Sequence, residues 1–328
     1  MKRILKFVGY GVILLIILAM FAIWQRHYIL ANLFVHTPPV FEKFDEGENV
    51  KWFNDWYTIE QIAPNVYAIG EPRYWQRNYN YLIIGEKEAL LFDAGPGVRD
   101  INEVVKSLTA LPYSVAFSHL HFDHLGNGHT FPKVLMADLP HIKERTKDDI
   151  FQPTRKEHLG HTEHIDAHKI KVDKWLKPNE IIDLGARKLQ VIYTPGHTTE
   201  SISLYDKKNK ILFTGDWFLE ELLPAFSNSS MKEFLKTTEM VLCRMPKDIK
   251  MYPAHKFKDG GGSPKPLYFQ DLVDTKNGII AIEKSKLKPT GFFPPVYKIN
   301  NRISMITDIT LFQKWYVKYP ELLQHDYK

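Results

Sequence analysis

The chain has 328 residues, a formal net charge of +5 and one cysteine, Cys243. That length allows one large domain with a substantial core, or two smaller ones. A lone cysteine excludes an intrachain disulfide and a cysteine-based zinc site. Lys and Arg are dispersed among Asp and Glu, so no basic face for nucleic acid is expected. Cys243 reads as a free core thiol on a helix that starts near Met231.

Lys2, Arg3 and Lys6 precede an uncharged apolar stretch, Phe7 to Trp24, which ends at Gln25-Arg26-His27. At a rise of about 1.5 Å per residue such a stretch nearly spans a hydrocarbon core of ~30 Å. It is longer than the apolar part of a usual secretory signal, and no clear small-x-small cleavage site follows. Residues 1–27 are therefore read as an uncleaved membrane anchor; a cleaved signal peptide and a buried core helix are the alternatives. The three cations place the N-terminus in the cytoplasm and the rest of the chain outside it. If the segment is removed, the product is secreted or periplasmic. Residues 28–58, with Thr37-Pro38-Pro39 and Asp45-Glu46-Gly47-Glu48, read as a linker, and residues 59–328 as the catalytic domain.

Within that domain, Ile62–Ile69, Tyr79–Ile84 and Ala89–Phe92 have the composition of strands. Asp100–Leu111 has helical spacing, with Ile101, Val104, Val105 and Leu108 on one face. Tyr113–Phe117 is the next strand. Residues at about 138–180 break the alternation and carry His141, His158, His161, His164 and His168; a solvated helical insert is expected. The apolar runs Leu189–Tyr193, Lys210–Phe213 and Ile249–Tyr252 read as buried strands. Lys265–Lys288 reads as a helix, and Val296–Thr310 as a final strand or two. This order fits an α/β fold, an αββα sandwich of two mixed β-sheets with outer helices.

Chemistry-bearing residues gather at the strand ends. Ser118-His119-Leu120-His121-Phe122-Asp123-His124 carries the pattern H-x-H-x-D-H. Thr194-Pro195-Gly196-His197, Thr214-Gly215-Asp216 and Tyr252-Pro253-Ala254-His255 each follow an apolar run, as does Asp93 in Leu91-Phe92-Asp93-Ala94-Gly95. Imidazoles and carboxylates suit zinc and neighbouring divalent metals. The donors of the first run crowd a single ion but can serve two neighbouring ones, an arrangement that activates water.

The ordered set H-x-H-x-D-H, P-G-H, G-D and P-A-H resembles the metallo-β-lactamase-fold hydrolase superfamily, over roughly Ile59 to Lys288. The resemblance implies two Zn2+ per chain, with iron or manganese as alternatives. It implies that His119, His121 and His197 bind the first ion, that Asp123, His124 and His255 bind the second, and that Asp216 bridges them. Asp123 and Asp216 are the expected catalytic residues, beside a hydroxide held between the metals. Retention of Asp216 resembles the glyoxalase II and lactonase-like branch, whose members cleave ester, lactone or thioester bonds in small-molecule substrates. A mononuclear iron persulfide dioxygenase, a phosphodiesterase, a β-lactamase and an inactive scaffold are the competing readings. Asp93 is expected to orient a ligand, Gly95, Gly126 and Gly196 to permit tight turns, and Asn80 to act in the pocket. His129 and His141 fit no position of the pattern. Oligomeric state is not legible.

Overall fold

Short apolar runs separated by turn residues build two large mixed sheets. The structure is a computed structural model that describes residues 2–33, 35–225, 228–257, 262, 265–291 and 294–307. The first sheet has eight strands in the spatial order Lys51–Trp52, Thr58–Ala63, Val66–Gly70, Tyr79–Ile84, Ala89–Phe92, Tyr113–Ala116, Val134–Ala137 and Lys174–Leu176. It is antiparallel up to Ala89–Phe92 and parallel beyond that strand. The second has six, in the order Ile181–Asp183, Lys188–Tyr193, Ile202–Asp206, Ile211–Gly215, Lys250–Pro253 and Leu267–Tyr268. Its one parallel pair joins Ile211–Gly215 to Lys250–Pro253.

Burial explains the composition of these strands. Ala89-Leu90-Leu91-Phe92 is buried at every position, as a strand covered on both faces must be. The two sheets meet through aromatic side chains: Tyr81 of the first stands 4.9 Å, ring to ring, from Phe213 of the second. The Tyr81 hydroxyl donates to the Pro253 carbonyl. The helices Asn228–Arg244 and Phe269–Glu283 pack on each other, and Asn102–Leu108 buries Val104 and Val105. The expected αββα sandwich is thus observed.

Several local expectations are corrected. Ile62–Ile69 is a hairpin, not one strand: it turns at Pro64-Asn65, where Asn65 has φ 57°. Proline supplies no N–H to a ladder, and asparagine tolerates the left-handed region. Lys265–Lys288 does not begin as a helix, because Leu267–Tyr268 first pairs with Lys250–Met251. The helix then starts at Phe269, and Asp271 accepts the Tyr268 N–H at 2.8 Å. The insert at 138–180 holds only single helical turns, a short ribbon of Ile150–Phe151 with Ile170–Lys171, and the edge strand Lys174–Leu176. Val296–Lys298 and Ile303–Ile306 are strands of a small third sheet with Glu221–Pro224; Asp308–Thr310 lie outside the described residues. Cys243 is on the expected helix but exposed: Val241 and Met245 take the buried face and the thiol is turned from it.

The N-terminal helix runs from Lys2 to Leu33, past residue 27. Its apolar window, Lys6–Gln25, has a mean hydropathy of 2.5, and none of it is buried against the protein. It is therefore not a core helix. Within the expected linker, Lys51–Trp52 is the edge strand of the first sheet.

Gly126 shows how tightly the loops below the site are packed. It is right-handed, with φ −50°, so the expected tight turn is not its reason. A Cβ there would overlap the Pro96 carbonyl carbon and the Gly97 nitrogen. Gly126→Ala is expected to lower unfolding stability by about 1–3 kcal/mol, the usual cost of overpacking. Urea denaturation measures it, and an unchanged midpoint would contradict this packing.

Candidate metal centre

Ala89–Phe92 and Tyr113–Ala116 run parallel in the first sheet. Lys188–Tyr193, Ile211–Gly215 and Lys250–Pro253 share a direction in the second. Loops leaving the carboxyl ends of strands are the usual place for sites in open α/β sheets, and here they bring Asp93, the His119–His124 run, His197, Asp216 and His255 together. Among the seven expected metal residues, His119, Asp123, His124, His197, Asp216 and His255 are buried. His121 is the least buried of the seven.

They form two donor sets. In the first, His119 Nε2 lies 2.8 Å from His121 Nδ1, and His121 Nδ1 lies 3.1 Å from His197 Nε2. Asp216 Oδ2 is 3.8 Å from His119 Nε2 and 3.5 Å from His197 Nε2. In the second, His255 Nε2 lies 3.3 Å from His124 Nε2 and 3.2 Å from Asp123 Oδ2. Asp216 Oδ1 completes it, 3.5 Å from His124 Nε2 and 3.2 Å from His255 Nε2. Asp216 thus turns one oxygen to each set.

These distances fit metal ions. Donors at 2.0–2.1 Å from a tetrahedral centre are about 3.3 Å apart, close to the spacings above. Asp216 Oδ1 is buried without a hydrogen-bond partner, although the His124 and His255 rings stand 3.5 and 3.2 Å away, so a divalent cation would satisfy it better than the rings do. Either set could therefore hold a divalent cation.

The remaining imidazole nitrogens are oriented from behind. His124 Nδ1–H donates to Asp93 Oδ2 at 2.9 Å, His255 Nδ1–H to the Gln76 carbonyl at 3.1 Å, and His197 Nδ1–H to the Pro224 carbonyl at 3.4 Å. His119 Nδ1 is 2.9 Å from Ser118 Oγ. Each such bond fixes the ring and its tautomer, leaving the facing nitrogen free to coordinate. Asp93 has the expected orienting role; its other oxygen accepts the Ser118 N–H at 2.6 Å, from a left-handed conformation at φ 67°.

Asn80 does not face the pocket. It is buried, accepts the Gly95 N–H at 2.7 Å and donates to Glu71 Oε1 at 3.1 Å. Glu71 Oε2 also accepts the Trp56 indole N–H at 2.7 Å. Glu71 opens the 71–78 segment that supplies the Gln76 carbonyl and Asn78. The Asn78 amide donates to the Asp123 carbonyl at 2.8 Å and to its Oδ2 at 3.4 Å. Gly95 is left-handed at φ 62°, and a Cβ on it would overlap Glu71 Oε1. Glu200 is buried and accepts the Leu120 N–H at 3.3 Å, steadying the run between His119 and His121. None of these supports is visible in the sequence: single polar residues and backbone carbonyls carry no motif. His129 stacks on His168 at 3.9 Å, away from either set.

The two sets differ in charge. Burial and the neighbouring imidazoles hold His119 well below its usual pKa. Burial, then His197, brings His121 down to about 3, and burial also lowers His197. Burial would lower His255 too, but Asp216 and Asp123 outweigh it and hold the ring up at about 9. His124 is raised in the same way by Asp123, Asp93 and Asp216. Burial pushes Asp123 and Asp216 up, yet the imidazolium rings beside them keep both well below the usual carboxylate range.

The comparisons with known proteins agree with this geometry. The family described as the Metallo-beta-lactamase superfamily matches residues 73–274. That is more than half of the chain, which belongs to this superfamily. The acyl-coenzyme A thioesterase MBLAC2 of Bos taurus is 25% identical over 230 residues, 61% of this chain and 81% of that protein. Its Gallus gallus counterpart is 27% identical over 182 residues, 49% of this chain and 66% of its own length, just under two thirds. The hydroxyacylglutathione hydrolase of Francisella tularensis subsp. novicida is 26% identical over 186 residues, 55% of this chain and 64% of that protein. A metallo-beta-lactamase family protein from Thermus thermophilus shares the fold, with a TM-score of 0.51 and 17% identity over 69% of this chain and 82% of its own.

The charge pattern and the bracing network each lead to a measurable outcome. In the metal-free protein the second set holds protons that a cation must displace, so its affinity should rise from pH 7 toward pH 9, up to about tenfold per unit for each proton released. The first set is already neutral and should vary little over that range. Competition titration against a chelator measures both, and a second-set affinity that falls with rising pH would contradict the charge pattern. Glu71→Gln turns an amide N–H against one of two donors. Acting only through the 71–78 segment, it should weaken the second ion by about threefold to tenfold, less than the loss of a direct partner of a ligand does, and leave the first unchanged. Equal weakening of both would show that Glu71 does not act on the second set.

Proposed function

We propose that the chain is a binuclear zinc hydrolase, anchored in a membrane, that cleaves thioester, ester or lactone bonds. One observation carries this reading: Asp216 presents one oxygen to each of two complete donor sets in one buried centre. His119, His121 and His197 would hold one ion, and Asp123, His124 and His255 the other, with Asp216 between them. Divalent ions there would supply Lewis acidity and lower the pKa of a water lying between them.

The chain's own groups then have defined tasks. The partly exposed side at His121 admits the acyl carbonyl. Asp123 and Asp216 are the carboxylates within reach of the attacking water. The water oxygen bonds to the acyl carbon, the carbon–sulfur bond breaks, and the proton released passes by way of a carboxylate to the departing thiolate. Asn78, through its bonds to Asp123, keeps that carboxylate aimed inward. A thioester is favoured among the three bond types because the relatives above are named for acyl-coenzyme A and hydroxyacylglutathione. The reading includes an N-terminus in the cytoplasm and a catalytic domain on the extracytoplasmic side, the orientation that Lys2, Arg3 and Lys6 favour.

The test is a hydrolysis panel on the purified full chain. Release of thiol from acyl-coenzyme A is read with a thiol reagent, beside lactones, esters, β-lactams and phosphodiesters. Thioester hydrolysis is expected, abolished by a chelator, restored by zinc, and reduced at least ~100-fold in His121→Ala or Asp216→Asn. Activity confined to β-lactams, or activity unchanged in His121→Ala, would refute the reading.

A further inference from the structure

The segment that follows the apolar helix is tied to the metal centre's surroundings. The His36 N–H donates to the Thr162 carbonyl at 2.9 Å, and the His36 ring stands edge-on to Trp75 at 6.0 Å. Val40 forms an antiparallel bridge with Tyr74. The Phe41 N–H donates to the Arg73 carbonyl at 2.8 Å, and Arg73 Nε–H donates back to the Phe41 carbonyl at 2.9 Å. Residues 36–41 are therefore a strap across two elements.

Both elements border the site. Arg73, Tyr74 and Trp75 belong to the segment whose Gln76 and Asn78 brace His255 and Asp123. Thr162 belongs to the insert, in which Glu163 accepts from the Tyr74 hydroxyl and from Trp75 Nε1–H at 2.9 Å. The insert's His158 ring lies 6.1 Å from Phe122, the residue between His121 and Asp123. Phe257 stacks on His255 at 5.4 Å and is 40% exposed, so the rim is apolar there.

Chain length then limits where a membrane can lie. Lys6–Gln25 is 20 residues, about 30 Å of helix, the thickness of a hydrocarbon core. Arg26 to Leu33 adds about 12 Å of helix, and the three residues to His36 add at most about 10 Å. His36 is thus within about 22 Å of the hydrocarbon edge, and Thr162, bonded to it at 2.9 Å, within about 25 Å; headgroups fill roughly 5–8 Å of that. A domain of this size is about 50 Å across, so its far side cannot be the side that faces the bilayer.

We infer that the metal centre opens toward the membrane surface and takes long-chain acyl thioesters whose chain is partitioned in the bilayer. This rests on the membrane-anchored thioesterase reading above and adds the substrate class and the direction of entry. The strap holds the insert and the rim at the interface, and the acyl carbonyl reaches the site without the chain leaving lipid.

The experiment uses the full chain in phosphatidylcholine vesicles with two substrates: a water-soluble short-chain thioester and a sixteen-carbon acyl thioester incorporated in the same vesicles. A variant carries twenty Gly/Ser residues inserted after Leu33, which lets the domain drift about 25 Å further and leaves the strap intact. The insertion is expected to raise KM at least tenfold for the embedded substrate and to leave the soluble one unchanged. Equal rates on both substrates in both proteins would overturn the inference and leave the hydrolase reading standing; no hydrolysis of either by the unaltered chain would remove that reading itself. A second measurement needs no variant. Lipids bearing a headgroup photo-crosslinker should label peptides from residues 155–165, and labelling confined to the opposite face would overturn the inference independently.

Discussion

The Asp216 carboxylate, shared between two groups of buried imidazoles, is the interaction on which the rest of the site depends. Taking a carboxylate out of water costs several kcal/mol unless a cation meets it. Here two buried carboxylates, Asp123 and Asp216, face His124 and His255, and without metal these rings supply the positive charge as imidazolium. Divalent cations would meet the same carboxylates with more charge and would release the protons. The first set, of three low-pKa imidazoles, has donors ready. The second has donors that must first lose protons. One shared carboxylate therefore links two donor sets with different proton chemistry.

Geometry of this kind needs rigid support, and the fold supplies it from strand ends. Tyr81 joins the two sheets beneath the site by its contacts with Phe213 and Pro253. Gly95 and Gly126 let three loops approach one another without side chains between them: the Gly126 N–H donates to the Gly95 carbonyl at 2.8 Å, and the Ala94 N–H to the His124 carbonyl at 2.9 Å. Glu71, with Asn80 and Trp56, then fixes the 71–78 segment, which serves the second donor set on one side and the insert on the other. A shift in that segment would be felt by Asp123 and His255 together.

Much of this is legible in the sequence because the functional residues follow strands made of apolar runs. The seven candidate donors, the adjoining Asp93 and the sandwich architecture can be read that way. The departures have identifiable causes. Pro64-Asn65 turns a continuous apolar run into a hairpin, since turn chemistry overrides composition. Leu267–Tyr268 is drawn out of a helical pattern by an open sheet edge beside Lys250–Pro253. Cys243 has no neighbour in sequence to say which face of its helix is buried. Gly126 makes no tight turn, and the close approach of another loop that requires it leaves no trace in local sequence. Glu71, Asn78 and the Gln76 carbonyl are invisible for the same reason.

The most direct measurement of the central claim is anomalous diffraction at the zinc edge from crystals of the protein grown with zinc. The account predicts two peaks about 3.5–4 Å apart, one among His119, His121 and His197, the other among Asp123, His124 and His255, with Asp216 touching both. A single peak under saturating zinc, or two peaks with Asp216 turned away from either, would contradict it.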